Sequence, residues 1–263
     1  MAVKTGNSGD NWLSGTVGAD ELYGLGGDDT LQGDAGDDLL DGGSNSSDWY
    51  DFVNFATATA AITVDLDLGY ALDGQGGRDT LVGIEAARGT EWDDTFVGDD
   101  HVNWFEPGTG NDTLVGNGGA DRVTYESLHN YGLTGGINAS ESSVTKSNGD
   151  VDTLSGFTMF FATRYSDTFT MSGSAGYTIF AKAGDDTLNG GDGNDHLVGG
   201  EGADAFDGGA GRDDASYWEA TSGVAAYLYD SSQNTGEAAG DTYTNIENLT
   251  GSNHGDDLRG DGA

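Results

Sequence analysis

A single large apolar residue recurs at every ninth position along much of the chain, with glycine and acidic residues between. The first block begins at Gly6 and reads GNSGDNWLS, GTVGADELY, GLGGDDTLQ and GDAGDDLLD. In each nine-residue segment, places one and four are glycine, place six is asparagine or aspartate, and place eight is leucine. The leucines are Leu13, Leu22, Leu31 and Leu40. A fixed period of this length is typical of a repeat architecture in which each unit packs against its neighbours.

Two further blocks keep the same phase. One begins at Gly89 and reads GTEWDDTFV, GDDHVNWFE, PGTGNDTLV and GNGGADRVT. The other begins at Ala181 and reads AKAGDDTLN, GGDGNDHLV, GGEGADAFD and GGAGRDDAS. An unpatterned acidic tract would not hold one apolar residue in a fixed phase, so the periodicity excludes a disordered acidic chain.

Each segment predicts a tight turn followed by a very short strand. Glycine permits the backbone conformations that a six-residue turn needs, and the last three residues suit a strand with its apolar side chain pointing inward. Two segments make one coil of about eighteen residues, and stacked coils pair their strands in parallel. The sequence therefore predicts an all-β solenoid with almost no helix.

The array is interrupted by stretches that lack the repeat. We expect a single repeat array over 1–263, and Met171 breaks its phase. The predicted sub-blocks are repeats at 6–43, irregular strands at 44–73, repeats at 74–124, an irregular stretch at 125–146, repeats at 147–216, irregular strands at 217–235 and degenerate repeats at 236–263. Ile62, Val64, Leu66 and Leu68 alternate with other residues, which predicts a half-buried strand.

Composition restricts the partners and the chemistry. The chain has 46 acidic and 9 basic residues and a formal net charge of −37, which disfavours nucleic acid and anionic membrane surfaces. It contains no cysteine, so disulfides and thiolate zinc sites are excluded. The chain contains no run of 18 apolar residues, so the sequence predicts no membrane span.

The repeat chemistry favours a hard divalent cation. One apolar residue in nine provides little hydrophobic stabilisation against the entropy of ordering the turn, and stacked carboxylates repel one another. The available anionic ligands are oxygens, which favour a hard cation. Flexible loops that supply six or more oxygens suit calcium better than magnesium.

The segments GGDGNDHLV and GGEGADAFD, together with LGGDDTLQG, resemble the calcium-binding nonapeptide of RTX (hemolysin-type) repeat proteins. This resemblance implies a right-handed parallel β-roll with multiple Ca²⁺ ions between loops on the same edge, one coil apart. It implies that place-six residues act in pairs eighteen residues apart, with backbone carbonyls as further ligands. The implied pairs are Asn11 with Asp29, Asp20 with Asp38, Asp94 with Asp112, Asn103 with Asp121, Asp186 with Asp204, and Asp195 with Asp213.

Several positions depart from the motif. Asn11 and Asn103 replace aspartate, so their sites are expected to bind calcium more weakly, and Trp92 and His101 stand where glycine is expected at place four. Aspartates at similar places in the degenerate units are secondary candidates. They are Asp79, Asp152, Asp167, Asp241 and Asp256.

The leading functional hypothesis is a non-catalytic bacterial module that folds on calcium outside the cell and has a structural or adhesive role. The resemblance implies type I secretion, which would account for the lack of an N-terminal signal, and the last residues lie inside a repeat, which suggests a fragment of a longer adhesin, enzyme or toxin. An alternative is a carbohydrate-binding module of a secreted glycan-modifying enzyme, similar to alginate epimerases or lyases. Its candidate stacking residues are Trp12, Trp49, Trp92, Trp104 and Trp218.

An enzyme is the third hypothesis. Tyr125, His129 and Tyr131 cluster in an irregular stretch and could form a catalytic site. The sequence contains no HExxH, GxSxG or phosphate-loop motif, so no catalytic residue is assigned.

Overall fold

The computed structural model describes residues 1–44 and 50–260, which form short strands joined by tight turns. Three short 3-10 helices occur among them, at Glu126–Tyr131, Ser231–Gln233 and Gly236–Ala238. The strands are β1 (Val3–Thr5), β2 (Trp12–Ser14), β3 (Glu21–Leu25), β4 (Thr30–Gln32), β5 (Leu39–Gly43), β6 (Phe52–Asn54), β7 (Thr63–Asp65), β8 (Tyr70–Leu72), β9 (Arg78–Val82), β10 (Ala86–Arg88), β11 (Thr95–Val97), β12 (Trp104–Glu106), β13 (Thr113–Val115), β14 (Asp121–Thr124), β15 (Asn138–Ala139), β16 (Ser143–Thr145), β17 (Val151–Ser155), β18 (Phe157–Phe161), β19 (Thr168–Thr170), β20 (Thr178–Phe180), β21 (Thr187–Asn189), β22 (His196–Val198), β23 (Ala205–Asp207), β24 (Asp214–Ser216), β25 (Ala225–Tyr227), β26 (Thr242–Thr244), β27 (Asn248–Thr250) and β28 (Asp257–Arg259).

The chain divides into two compact units. Unit 1 comprises Met1–Thr124 and Asp150–Phe157, and unit 2 comprises Tyr125–Gly149 and Thr158–Ala263. No helix in the described part of either unit has the length and apolar character to cross a membrane.

Unit 1 consists of two sheets. The first has the order β1-β3-β5-β9-β8-β7-β11-β13-β17, and the second has the order β2-β4-β6-β10-β12-β14. Regular coils pair in parallel with a shift of eighteen residues, as where Leu22 lies opposite Leu40 and Leu13 lies opposite Leu31. Leu22, Leu31 and Leu40 are fully buried. This arrangement confirms the predicted parallel β-roll, with the place-eight residues in its core.

One predicted strand is shorter than its alternating pattern suggested. Ile62 and Val64 are buried as expected, but Leu68 is 69% exposed and the strand ends at Asp65. Oδ1 of Asp65 accepts the Leu68 N–H at 2.8 Å, which closes a turn, and β7 then pairs with β8 in antiparallel fashion. A local side-chain bond therefore ends the strand before its last apolar residue.

Unit 2 repeats the two-sheet plan. Its sheets have the orders β16-β15-β19-β21-β23-β26 and β18-β20-β22-β24-β27, and β25 pairs separately with β28. Thr168 lies opposite Thr187, nineteen residues away, whereas Thr187 lies opposite Ala205 with the regular shift of eighteen. The extra residue falls in the segment that contains the buried Met171, where the sequence predicted a break in phase.

Candidate metal centre

The place-six residues lie at the turns, immediately before the short strands, and their side chains point into the protein. Among the twelve sequence-predicted metal ligands, Asn11 is half-buried and the other eleven are buried. Those eleven are Asp20, Asp29, Asp38, Asp94, Asn103, Asp112, Asp121, Asp186, Asp195, Asp204 and Asp213. Nearly all of the carboxylate surface at these turns is therefore removed from water.

Each predicted pair is joined by a hydrogen bond from one coil to the next. The backbone N–H of the earlier residue donates to Oδ1 of the residue eighteen positions later, at 2.7–2.9 Å in all six pairs. The structure therefore brings together every pair that the resemblance implied. We call the resulting rows of residues the aspartate ladder.

The secondary candidates accept the same kind of hydrogen bond from an earlier coil, but the donor lies more than eighteen residues away in the sequence. Asp79 accepts the N–H of Asp38 at 3.1 Å, and Asp241 accepts that of Asp204 at 2.8 Å. Asp152, Asp167 and Asp256 accept N–H groups in the same way.

Three ladder residues were missed by the sequence analysis. Asp51 accepts the Asp29 N–H, Glu85 accepts the Asp51 N–H, and Glu247 accepts the Asp213 N–H, at 2.8–3.0 Å. They lie 22 or 34 residues from their partners, so a fixed spacing of eighteen does not find them. The available signal was an acidic residue directly before a short strand whose second residue is apolar.

The second carboxylate oxygen defines the candidate metal position. For eight ladder aspartates, Oδ2 is buried and has no hydrogen-bond partner among the residues that the structure describes. These are Asp29, Asp38, Asp79, Asp121, Asp186, Asp195, Asp204 and Asp213. A buried anionic oxygen without a partner is strongly unfavourable, so binding of a cation or a proton at these atoms would stabilise the fold.

Glycine at place one leaves the space that these oxygens face. A Cβ added at Gly24 would lie 2.2 Å from Oδ2 of Asp29 and 2.6 Å from the carbonyl oxygen of Gly42. A carboxylate oxygen and a backbone carbonyl of the next coil thus converge on the same glycine. Gly24 has an ordinary φ, so close approach is the reason for glycine here.

The donor set fits a hard cation that accepts backbone ligands. Among the described residues, no group of three or more His, Cys, Asp or Glu side chains is placed to hold a metal ion. A site at these turns must therefore combine one or two carboxylates with carbonyl oxygens. Calcium accepts such mixed oxygen sets with flexible geometry, whereas magnesium requires near-octahedral ligands.

Burial also changes the acidity of the ladder. Burial raises the pKa of Asp79 and of Asp186 to about 8 and that of Asp204 to about 7, although an N–H bond from the preceding coil acts in the opposite direction. Neighbouring carboxylates, such as Asp38 beside Asp79, raise the pKa further. At neutral pH the fold therefore disfavours the ionised form of Asp79 and Asp186 unless a cation neutralises it.

We expect the calcium-free chain to gain structure in acid. The pKa values of Asp79, Asp186 and Asp204 lie above the ordinary value of 3.8, so their contribution to stability is present in acid and is lost as the pH rises toward about 8. Far-UV circular dichroism of the chain, stripped of calcium on a chelating resin, would measure this between about pH 4 and pH 8. A calcium-free chain with more β-structure at the alkaline end would contradict the expectation.

The catalytic candidates lie on the first 3-10 helix or beside it. Tyr125 precedes the helix and is buried, while His129 directs Nδ1 toward the carbonyl oxygen of Glu126 at 2.8 Å. His196, in a repeat, places Nδ1 2.8 Å from Oδ2 of Asp214. In each histidine, Nδ1 is therefore engaged by a neighbouring oxygen.

The tryptophans are scattered over both units. Trp12, Trp92 and Trp218 are exposed, and Trp49 lies outside the described residues. Trp104 is half-buried and meets Tyr50 and Phe52 edge to face, with ring centroids 5.9 and 5.4 Å away.

Comparison with known families accounts for the ladder. Residues 5–40, 97–127 and 180–215 match the family model of the RTX calcium-binding nonapeptide repeat (4 copies). No curated protein matches the chain. The matched stretches contain eleven of the twelve predicted ligands, all except Asp94, together with glycine turns of the geometry described above. These three stretches, which together make up less than half of the chain, are therefore similar to RTX calcium-binding nonapeptide repeats.

Proposed function

We propose that this chain is a secreted calcium-binding module that folds on binding multiple Ca²⁺ ions and has a structural or adhesive role outside the cell. The observation that carries the proposal is the set of eight buried Oδ2 atoms without a partner at the glycine turns. Bound cations would neutralise these atoms and would link consecutive coils. The proposed role is non-catalytic.

The proposed ligands are the unpartnered carboxylate oxygens and nearby backbone carbonyls. Oδ2 of Asp29 and the carbonyl oxygen of Gly42 illustrate the combination, since both face the space beside Gly24. Calcium would supply positive charge where burial disfavours the ionised carboxylate. The fold would then depend on an ion for a stabilisation that a larger apolar core provides in other proteins.

An extracellular location is supported by the calcium concentration that such modules need. Extracellular calcium modules commonly have dissociation constants of about 0.1–1 mM, far above cytosolic calcium. A chain with a net charge of −37 would remain expanded in low calcium and become compact where calcium is abundant.

Equilibrium dialysis and calorimetry test the proposal directly. We expect about six or more Ca²⁺ ions per chain, at millimolar calcium, accompanied by a gain of β-structure. Magnesium at the same concentration is expected to give less than about a tenth of that gain, because it demands a stricter geometry. Binding of no calcium, or equal folding in magnesium, would overturn the proposal.

A glycan-binding role is the second candidate. It is favoured by the half-exposed aromatic group of Tyr50, Phe52 and Trp104, with the Arg122 guanidinium 5.0 Å from the Tyr50 ring centroid. Sugar rings stack on such surfaces, and a guanidinium suits an acidic sugar. The test is binding of the parent chain and of Trp104→Ala to alginate in the presence of calcium. A reduction of at least about tenfold in the variant, with unchanged circular dichroism, would support this role. Undetectable binding by the parent chain would exclude it.

A further inference from the structure

Some turns satisfy their place-six carboxylate without any ion. Oδ2 of Asp94 accepts the Thr90 N–H at 2.7 Å and the Thr90 hydroxyl at 3.0 Å. The same hydroxyl oxygen accepts the Trp92 N–H at 2.9 Å. Thr90 occupies place two and Trp92 occupies place four, so one threonine side chain links three positions of the turn.

The same set of hydrogen bonds between places two, four and six occurs in unit 2. Oδ2 of Asp167 accepts the Thr163 N–H at 2.9 Å and its hydroxyl at 3.0 Å, and the Thr163 hydroxyl accepts the Tyr165 N–H at 3.0 Å. Ser252 donates its hydroxyl to Asp256 at 2.8 Å.

Unit 1 contains three further turns of this kind. The Thr16 N–H and hydroxyl reach Oδ2 of Asp20 at 2.5 and 2.8 Å. At the two asparagine sites, the place-two side chain accepts the place-four N–H, from Gly9 to Asn7 at 2.9 Å and from His101 to Asp99 at 2.8 Å, and the place-two backbone N–H binds place six. The Asn7 N–H donates to Asn11, and the Asp99 N–H donates to Asn103, each at 2.7 Å. We call these six arrangements closed turns.

The remaining turns differ in backbone conformation. Place two adopts a positive φ in each turn of this second kind, which we call open turns. The place-two residues are Leu25, Asp34, Gly108, Asn117, Lys182, Gly191, Gly200 and Gly209, with φ between 64° and 101°. The matching place-six residues are Asp29, Asp38, Asp112, Asp121, Asp186, Asp195, Asp204 and Asp213, and all of them except Asp112 have a buried Oδ2 without a hydrogen-bond partner among the described residues. A left-handed residue at place two thus accompanies a carboxylate oxygen that the turn itself leaves unsatisfied.

The donor of the ladder hydrogen bond does not separate the two kinds of turn, because open-turn Asp29, Asp121 and Asp195 accept it from residues without a carboxylate, which are Asn11, Asn103 and Tyr177. Four closed-turn aspartates accept a ladder N–H from a residue without an acidic side chain. The donors are Ala2 to Asp20, Ile62 to Asp94, Ile137 to Asp167 and Val224 to Asp256.

We propose that place two decides whether a turn takes calcium: a left-handed residue leaves the place-six carboxylate open to the ion, and a place-two residue without a positive φ, whose backbone N–H or hydroxyl binds the place-six side chain, closes the turn without one. The inference rests on the proposed calcium function and refines it. It removes Asn11, Asp20, Asp94 and Asn103 from the predicted ligands. Ions then concentrate in the open turns, while the closed turns stabilise the coils that stack on irregular segments.

Two matched aspartate substitutions in unit 1 test the proposal. Asp121→Asn alters an open turn, and Asp94→Asn makes the same change in a closed turn. Equilibrium dialysis with radioactive calcium should show one ion fewer for Asp121→Asn and an unchanged number for Asp94→Asn. Equal losses in the two variants, or no loss in either, would overturn the proposal. A parent chain that binds no calcium would instead refute the underlying function.

A second pair of variants keeps the test independent of the aspartates. Asn117 has φ 65°, and its side chain donates to the carbonyl oxygen of Gly98 at 2.7 Å. Asn117→Thr and Asn117→Gly both remove that bond, but only threonine disfavours the left-handed conformation. We expect Asn117→Thr to lose one calcium ion and Asn117→Gly to keep the parent number, with both variants folded in calcium by circular dichroism. The same calcium number in both variants would contradict the role of place two.

Discussion

Removal of calcium at neutral pH is expected to abolish most of the β-sheet circular dichroism of this chain. The eight unpartnered Oδ2 atoms would then be buried charges or would require protons. An uncompensated buried ion costs several kcal/mol, and the whole stability of a typical domain is only about 5–15 kcal/mol. The free-energy cost of leaving even a few of these sites unneutralised therefore exceeds the stability of the fold.

The experiment is a titration with EDTA followed by readdition of calcium. Loss of the β-signal should be reversed by calcium, with a midpoint at about 0.1–1 mM free ion, and should not be reversed by magnesium. A β-spectrum that persists unchanged in excess EDTA would refute the view that ions hold the coils together.

Substitution of a place-one glycine is expected to eliminate a single site. In Gly24→Ala, the new methyl group would occupy the space on which Oδ2 of Asp29 and the carbonyl oxygen of Gly42 converge. We expect a loss of about 1–3 kcal/mol from overpacking, together with the loss of one bound calcium ion. Chemical denaturation in calcium and equilibrium dialysis would measure the two effects.

Gly18→Ala is the matched control in the same unit. A Cβ at Gly18 would meet no atom within 4 Å, and its backbone does not require glycine. This variant should keep its calcium number and change the free energy of unfolding by less than about 0.5 kcal/mol. Equal effects of the two substitutions would show that the space beside Gly24 has no special part in binding.

The regular coils could be predicted because one local rule fixes both their packing and their chemistry. Leucine at place eight must face inward, and place six must therefore fall at the end of the turn, as Leu31 and Asp29 illustrate. The shift of eighteen residues follows from two nine-residue segments per coil. All six predicted pairs consequently meet in the structure.

The remaining features depend on contacts that a fixed period does not encode. Asp51 and Glu85 join the ladder after insertions of different length, so only the folded register identifies them. The early end of the strand at Asp65 results from a side-chain bond that competes with alternation. The distinction between Thr90 and Gly200 at place two was visible in the sequence, but its meaning depends on backbone conformation.

The aspartate ladder also gives each roll a direction. Every ladder bond runs from an N–H in an earlier coil to a carboxylate in a later one, as from Asp20 to Asp38. Cutting the array on the amino-terminal side of a coil exposes a carboxylate acceptor, whereas cutting on the carboxyl-terminal side exposes a backbone N–H donor, and water can hydrate either group. The two ends of a shortened array therefore differ chemically: the front presents anionic acceptors and the back presents backbone donors.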